Sequence, residues 1–460
     1  MNTSTPKKAG LLINRRFMLL WSGQSVSAIG DFVFETTLIL WIVTRIARGQ
    51  PWAPLAVSGV LLAASIPVFL VGPIAGVLVD RWDDKRLTML LMDALRALLI
   101  FLLFLVSLVP GVIPLPFTVH GLLPIAWQLG AIYGIVFLAS ACAQFFNPSS
   151  LALLSDIVDE PQIARGSGMI QAAFNFAILI GPPLGALLFF AAGVQWGLLL
   201  NALSFVVSFI SISAIRAPRM GAVERSKLPA SFLREFVAGI RFFGRSRVLM
   251  ALSITGVLIV LGAGALNALD VFFVTQNLHA QVSLYGFLGS ALGCGLIAGS
   301  VLAALFAQRI GVTRTFWLSV VGWGVVALVY ARLTSFFPAV VVLFFLGVMN
   351  AVFNATAAPL IIQSTSRNFI GRVMAVFNPL FSLVGMFSVA IAGYLDSTVL
   401  HSFHARLLGI SLGPIDTIFT GTGILAILGG LYAMVSLHSV RLAKESEEPP
   451  EPGQVATAGE

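Results

Sequence analysis

Long apolar runs separated by short polar segments make up almost the whole chain. A helix needs about 20 residues to cross the roughly 30 Å hydrocarbon core of a bilayer, and twelve runs reach that length. The pattern therefore predicts an all-α integral membrane protein with twelve transmembrane helices. These helices are expected at residues 17–44, 54–79, 87–109, 123–146, 167–192, 195–216, 248–271, 283–308, 315–333, 336–363, 372–395 and 415–438.

The first of these runs contains two carboxylates, Asp31 near its middle and Glu35 one helical turn later. Residues four apart share a helix face, and Gln24, seven residues before Asp31, lies on the same stripe. A carboxylate at the middle of a bilayer costs about 2.5–3.5 kcal/mol, so the stripe is expected to face protein or water rather than lipid. It is the first candidate for a functional site.

Composition supports a membrane protein and excludes the soluble classes. Hydrophobic residues are 58% of the 460 positions and charged residues 10%, whereas soluble domains have about 25% charged residues. The two cysteines, Cys142 and Cys294, lie within apolar runs, so no disulfide framework is expected. The histidines lack the spacing of metal ligands, and we expect neither a metal site nor another cofactor.

The net charge of +8 is explained by orientation in a membrane rather than by nucleic-acid binding. If the N-terminus is cytoplasmic, 22 of the 27 lysines and arginines lie on the cytoplasmic side, as the positive-inside rule requires. Both termini are then cytoplasmic, because an even number of spans returns the chain to its starting side. The first run is about twice as long as a signal-peptide core and carries acids, so we expect it to remain as a span.

The two halves of the chain resemble each other, which indicates a duplicated scaffold. The Phe-Asn pair at residues 146–147, after the predicted fourth helix, recurs at residues 353–354, an offset of 207. Alignment of the first helix with the seventh places Gly30 opposite Gly262. In this alignment the two acids of the first helix have no acidic counterparts in the second half.

Five segments follow from this organisation. They are a cytoplasmic N-terminal segment at 1–16, a first six-helix bundle at 17–216, a basic linker at 217–247, a second bundle at 248–440, and a disordered cytoplasmic tail at 441–460. Within the linker, residues 231–247 could form an amphipathic helix at the membrane surface, because phenylalanines recur on one side of it.

A short charged connection follows the second helix, with candidate residues Gly76, Asp80, Arg81, Lys85 and Arg86. Glycine permits close helix approach, and the Asp80 carboxylate suits the positive end of the third helix, near whose start we expect it. The three basic side chains can pair with carboxylates or carbonyls at neighbouring helix ends. The connection is therefore a candidate latch that holds one of two conformations.

This connection resembles the signature of the major facilitator superfamily, Gly-x-Leu-Ala-Asp-Arg-x-Gly-Arg-Lys/Arg, with Asp83 where a glycine is usual. Residues 20–24, 27–31 and 93–96 are similar to one subgroup, the bacterial macrolide-efflux and enterobactin-export proteins. The resemblance covers nearly the whole chain. It implies a fold of two six-helix bundles and location in a bacterial inner membrane.

The fifth helix carries Gly181, Pro182 and Gly185, which resemble the antiporter motif of the superfamily, Gly-x-x-x-Gly-Pro-x-x-Gly-Gly. Ala177 and Ala186 replace its flanking glycines, so the match is partial. The motif implies export by antiport. Proline also removes a backbone donor and bends a helix, while glycine lets the halves pack closely.

The superfamily lines its central cavity with helices 1, 4, 7 and 10, and Asn267, Asn350 and Asn354 are further polar candidates there. No basic residue lies on those helices at mid-depth, which favours a neutral or cationic amphiphile as substrate. Asp93 and Arg96, three apart in the third helix, are expected to pair with each other. Because third helices are peripheral in the superfamily, a structural role is favoured for this pair over a coupling role.

These features favour a transporter rather than an enzyme, namely a proton-coupled exporter of a drug, macrolide or siderophore-like molecule. A carboxyl at Asp31 or Glu35 that is protonated facing one side and ionised facing the other would couple proton entry to substrate exit, while the halves rock about the midplane. Sodium could use the same acids. We expect a monomer in the lipid bilayer that binds a small molecule and no nucleic acid.

Two alternatives stay open. A lipid flippase or uptake carrier of the same fold would share every motif except that of the fifth helix. An intramembrane aspartyl protease is a remote alternative, because it needs two aspartates on different helices, whereas Asp31 and Glu35 lie on one.

Overall fold

The computed structural model describes residues 13–82, 84–108, 124–215, 246–365, 370–403, 405–407 and 410–447. Most of the predicted surface helix at 231–247 and residues 448–460 of the predicted tail lie outside the described residues. Residues 441–447 of that tail are helical, because the last helix continues to Glu447. The predicted disorder therefore does not begin at residue 441.

Thirteen α-helices occur in the described residues. They are α1 (Arg15–Trp41), α2 (Ala53–Leu70), α3 (Gly72–Arg81), α4 (Lys85–Leu108), α5 (Pro124–Ile157), α6 (Glu160–Ala192), α7 (Val194–Ser213), α8 (Arg247–Gln276), α9 (Tyr285–Ile310), α10 (Val312–Tyr330), α11 (Phe336–Gln363), α12 (Ile370–Tyr394) and α13 (Pro414–Glu447). We call α1–α7 the first half and α8–α13 the second half.

Short elements extend several of these helices. A π-helical turn follows α1 at Ile42–Ile46 and another follows α12 at Leu395–Val399, while a 3₁₀ turn at Val282–Leu284 precedes α9. The strands β1 (Ala405–Leu407) and β2 (Ile410–Leu412) form an antiparallel ladder before α13. The sequence pattern did not predict this ladder, which is too short to show alternation.

Twelve of the helical segments are long and apolar enough to cross a membrane, which confirms the predicted number of spans. The second predicted span is two helices, α2 and α3, which meet at Val71. Pro73 in the first turn of α3 has no backbone N–H, so it cannot continue the hydrogen bonding of α2. Asp80 consequently lies in the last turn of α3 and not at the start of α4, and the predicted helix-dipole stabilisation is wrong.

Helices α5 and α6 are longer than predicted and are joined by residues 158–159 alone. Polar residues from Asn147 onward interrupt the apolar run, so hydropathy placed the end of α5 at residue 146. The structure continues the helix through Pro148 to Ile157. Hydrogen bonding within a helix tolerates such polar side chains where they face a cavity or another helix.

The buried apolar residues differ between the two ends of the bundle. At the end where α1 finishes, called the far end, one cluster contains side chains of both halves, including Leu38, Val57, Ala268 and Leu288. At the end where α1 begins, called the near end, each half has its own cluster. The halves are therefore packed together at the far end and separate at the near end.

The glycine-proline segment of α6 lies where the halves meet. A Cβ added at Gly181 would be 2.4 Å from the Cβ of Phe32, and one at Gly185 would be 2.8 Å from the Val33 carbonyl oxygen, so these glycines let α6 contact α1. On the opposite side, a Cβ at Gly286 of α9 would be 2.5 Å from the carbonyl oxygen of Pro182. The glycine-proline segment thus lets α6 pack closely against α1 of its own half and against α9 of the other half.

The charged connection between α3 and α4 makes its contacts within the first half. Lys85 Nζ donates to the carbonyl oxygens of Val79 and Trp82. Arg86 donates from Nε to the Ile212 carbonyl, 3.1 Å away, and from Nη2 to the Ser213 carbonyl at the end of α7. Helix-end carbonyls are thus partners of these cations, as predicted.

Gly76 does not mediate a close helix approach. Apart from its chain neighbours and the backbone of its own helix, no described atom lies within 4 Å of the position that a Cβ would occupy there. The prediction from the sequence was wrong at this position because α3 is a separate short helix, whose direction the sequence pattern did not indicate.

Candidate transport cavity

Gln24, Asp31 and Glu35 line one cavity of about 460 Å³ between α1, α4, α5 and α6. Their spacing predicted a shared face, and the structure brings all three to the same wall. Gln24 is fixed at the near end of the stripe, where its Nε2 donates to Ser150 Oγ of α5. Most of the remaining lining is apolar or aromatic and includes Phe146.

Asp31 is paired with an arginine from another helix. Arg96 Nη2 of α4 lies 3.2 Å from Asp31 Oδ1 and 3.0 Å from Oδ2. The Arg96 side chain is 10% exposed and that of Asp31 is 43% exposed, so the carboxylate faces the cavity and the guanidinium the protein. The guanidinium also lies 3.9 Å from the centre of the Phe205 ring, a favourable cation–π contact.

This pairing corrects two predictions. Arg96 binds Asp31 and not Asp93, although Asp93 is one turn away on the same helix. A basic residue also does line the central cavity, because the long arginine side chain extends from α4 into the space beside α1. Spacing along the chain shows which residues share a helix face, but not how far a side chain reaches toward a neighbouring helix.

Gly30 sets the position of Asp31 and therefore of its ion pair with Arg96. A Cβ there would lie 2.3 Å from Ser204 Oγ and 2.8 Å from Asn201 Oδ1, so α1 approaches α7 closely at this point. Asp31 is the next residue and projects beside this contact. The Gly-Asp pair of the sequence thus combines a close helix contact with an acid at the cavity wall.

Glu35 occupies the junction of three cavities. It lines the 460 Å³ cavity, a second cavity of about 220 Å³ between the halves, and a third of about 380 Å³ beside α2 and α7. Among the residues that the structure describes, none donates a hydrogen bond to Glu35 or forms an ion pair with it. Glu35 is therefore an acid available to a ligand or a proton.

Asp270 is a functional candidate that the sequence reasoning missed. It lines the 220 Å³ cavity together with Glu35, from the opposite half. Tyr330 Oη of α10 donates a hydrogen bond of 2.5 Å to Asp270 Oδ1. The second half thus does contain an acid on its first span, although the positions aligned with Asp31 and Glu35 are Ala263 and Asn267, as predicted. The seventh helix was expected to end at residue 271, one residue after Asp270, whereas α8 continues to Gln276 and places Asp270 more than one turn before the helix end.

A spacing signal could have identified Asp270. Asn267 precedes it by three residues, which places both on one helix face, and Asn267 lines the 220 and 380 Å³ cavities. Asn350 of α11 also lines the 220 Å³ cavity. Asn354 donates from Nδ2 to Asn350 Oδ1 at 2.7 Å and is exposed, and the linings of these three cavities do not include it.

The charges around the connected cavities are three acids, Asp31, Glu35 and Asp270, and one arginine. Because Arg96 balances Asp31, two acids remain to attract protons or a positively charged group. In the described residues no group of three histidine, cysteine, aspartate or glutamate side chains could hold a metal ion. The arrangement suits reversible binding of protons and of a cation with apolar groups.

Comparison with known proteins gives relatives over most of the chain. The family described as "Transmembrane secretion effector" matches residues 9–395. Macrolide efflux protein A of Streptococcus pyogenes is 23% identical over 386 residues, which cover 80% of this chain and 86% of that protein. The multidrug efflux pump Tap of Mycolicibacterium fortuitum is 25% identical over 386 residues, which cover 79% of this chain and 87% of that protein.

Two solved structures are similar in fold. The nucleoside transporter NupG matches with a TM-score of 0.67 and 12% identity, over 92% of this chain and 99% of that one. A bacterial homologue of the human lysosomal transporter Spinster matches with a TM-score of 0.62 and 14% identity, over 94% of this chain and 97% of that one. At these identities the likeness concerns the fold alone.

Proposed function

Because the chain belongs to the transmembrane secretion effector family of the major facilitator superfamily, we propose that it is a proton-coupled exporter of a cationic amphiphile. The transporter acts by alternating access, in which two halves open in turn to the two sides of the membrane. The substrate is a hydrophobic or amphiphilic small molecule, and the coupling ion is the proton.

The observation that carries this proposal is the position of Glu35. It has no described partner and lies at the meeting point of the near-end cavity and the cavity between the halves. A carboxylate that binds either a proton or the positive group of a substrate exchanges one for the other. Such competition is sufficient to couple proton entry to substrate exit.

The names of the relatives support export of a drug-like molecule. Two of them are a macrolide efflux protein and a multidrug efflux pump. The cavity is consistent with such substrates, because aromatic side chains such as Phe32 and Trp323 surround its few acids. Ligand sites of this kind bind apolar groups by contact and use a small number of polar groups for orientation.

The conformation also suits the loading step of an exporter. The halves are packed together at the far end and separate at the near end, so the 460 Å³ cavity faces the end where α1 begins. The positive-inside distribution of lysine and arginine supports a cytoplasmic position for that end. The state described is therefore open to the compartment from which an exporter takes its substrate.

Transport by purified protein in proteoliposomes tests the proposal. Vesicles are loaded with a panel of hydrophobic cations and macrolides, and efflux is followed under an imposed pH gradient or an imposed Na⁺ gradient. We expect the pH gradient to drive transport. Glu35→Gln is expected to lower pH-driven transport at least about tenfold, equivalent to about 1.4 kcal/mol, because the amide cannot exchange a proton.

Glu160→Gln is the matched control, since it makes the same change at an exposed position in the first turn of α6. It should leave transport unchanged. Unchanged pH-driven transport in Glu35→Gln would contradict the assigned role. Transport driven by the Na⁺ gradient alone would show that the coupling ion is Na⁺ and not the proton. Transport only in the inward direction would favour the uptake carrier.

A further inference from the structure

Asp93 is a titratable group that the proposed cycle does not use. It lies on α4 and is 0% exposed. Neither of its carboxylate oxygens has a hydrogen-bond partner among the described residues. An ionised carboxylate in this position would lack water and a bound cation, because Arg96 binds Asp31 and the Ser208 hydroxyl of α7 is the neutral group that faces Asp93, and this is unfavourable in a protein interior. The neutral carboxylic acid is the form that suits this site.

The groups around Asp93 leave Arg96 as its source of positive charge. From α7 it meets Ser208, whose hydroxyl is also buried without a hydrogen-bond partner, and α7 contains no ionisable side chain. From α1 the negative charge of Asp31 acts on Asp93, and on α5 the thiol of Cys142 lies near Arg96. The charge state of Asp93 therefore depends on which acid Arg96 contacts.

Arg96 is placed so that it can serve either acid. Its Nη2 binds Asp31, while its Nε is buried and has no partner in the described part of the chain. Asp93 and Arg96 are three residues apart on one helix, a spacing at which side chains meet. Rotation of the arginine side chain could move the guanidinium from Asp31 to Asp93 without movement of α4.

We propose that Asp93 is a second proton-carrying residue, and that Arg96 moves between Asp31 and Asp93 during the transport cycle. In the conformation described, Asp31 is ionised and bound to Arg96, and Asp93 holds the proton. In the other state Arg96 contacts Asp93. The O–H bond of Asp93 breaks and a carboxylate oxygen of Asp31 accepts the proton, so that in this state the proton is held by the acid whose side chain is 43% exposed to the cavity.

Charge is conserved in this exchange, because Arg96 has one carboxylate partner in both states and the two acids share one proton. No reactant other than the proton is needed. The proposal rests on the proposed function, since a proton store has a use only in a proton-coupled transporter. Its test nevertheless requires neither a gradient nor a substrate.

Infrared spectroscopy of the purified protein at neutral pH tests the charge state directly. A protonated carboxyl has a C=O band that an ionised one lacks, and ¹³C labelling of the aspartate carboxyl separates aspartate bands from that of Glu35. We expect Asp93→Asn to remove one protonated-aspartate band from the wild-type spectrum. Asp159→Asn, the same change at an exposed position directly before α6, should remove none. An unchanged spectrum in Asp93→Asn would overturn the proposal.

The exchange itself is tested by Asp31→Asn, in which Asp93 is retained. Arg96 then has no carboxylate other than Asp93 to contact, so the Asp93 band should disappear although that residue is present. Adding Arg96→Gln to Asp31→Asn should restore the band, because Asp93 loses its cation. Persistence of the band in Asp31→Asn would show that Arg96 does not turn to Asp93.

Thermal unfolding gives a second readout. Each of Asp31→Asn and Asp93→Asn leaves Arg96 one acid, so each alone should shift the melting temperature little. The double variant leaves a buried arginine without a carboxylate, and its shift should exceed the sum of the single shifts. Additive shifts would contradict the exchange. Loss of transport in Glu35→Gln bears on the proposed function and leaves these results unaffected.

Discussion

The first and second halves hold their cavity acids in different ways. In each half the third span supports an acid on the first span. Arg96 of α4 binds Asp31 of α1, and Tyr330 of α10 binds Asp270 of α8. The first half uses a positively charged partner and the second a neutral hydroxyl. In both halves the third span therefore supplies a partner for the acid of the first span, but this partner is charged only in the first half.

The backbone packing behind these acids is also duplicated. Gly30 of α1 packs against Ser204 of α7, the last span of the first half. Gly262 of α8 packs against Thr422 of α13, the last span of the second half, and against the Trp323 ring. Because the glycine contacts correspond, the difference in chemistry comes from the side chains that surround them. We infer that charge exchange takes place in the first half.

The largest effect in this comparison is expected from Arg96→Gln. Removing one partner of a buried ion pair costs about 3–5 kcal/mol, and the partial exposure of Asp31 to the cavity should keep the loss near the lower value. The corresponding change in the second half, Tyr330→Phe, removes a hydrogen bond to an acid and should cost about 1–2 kcal/mol. Unfolding by denaturant in one detergent measures both.

The order of these two losses shows whether the charged partner of Asp31 contributes more to stability than the neutral partner of Asp270. A loss from Tyr330→Phe that equals or exceeds the loss from Arg96→Gln would show that the neutral partner matters as much as the charged one. The functional asymmetry between the halves would then need another explanation.

The sequence predicts the scaffold better than the site. Run lengths gave all twelve spans, and helical spacing placed Gln24, Asp31 and Glu35 on one wall, because both depend on local geometry alone. The partner of Asp31 was missed, because helix spacing contains no information about which neighbouring helix a long side chain reaches. Asp270 was missed because the predicted helix ended at residue 271 and placed this acid at the end of the span, whereas α8 continues to Gln276.

The smallest effect is expected from Asn354→Ala. Its amide binds Asn350 within the same helix and its side chain is exposed, so the change should alter stability by less than about 0.5 kcal/mol. Transport should be unchanged. Asn350→Ala is the matched variant inside the 220 Å³ cavity, and it should weaken substrate binding. Equal effects of the two variants on binding would contradict the assignment of the cavity wall.

The pH dependence of substrate binding is the direct test of the proposed role of Glu35, which exchanges a proton for the positive group of a substrate. Protonation removes the negative charge, so the affinity for tetraphenylphosphonium should rise with pH, by about tenfold per pH unit where one proton is released. In Glu35→Gln the affinity should rise less steeply with pH over the same range, because position 35 no longer releases a proton. An identical pH dependence in wild-type and Glu35→Gln protein would contradict the account.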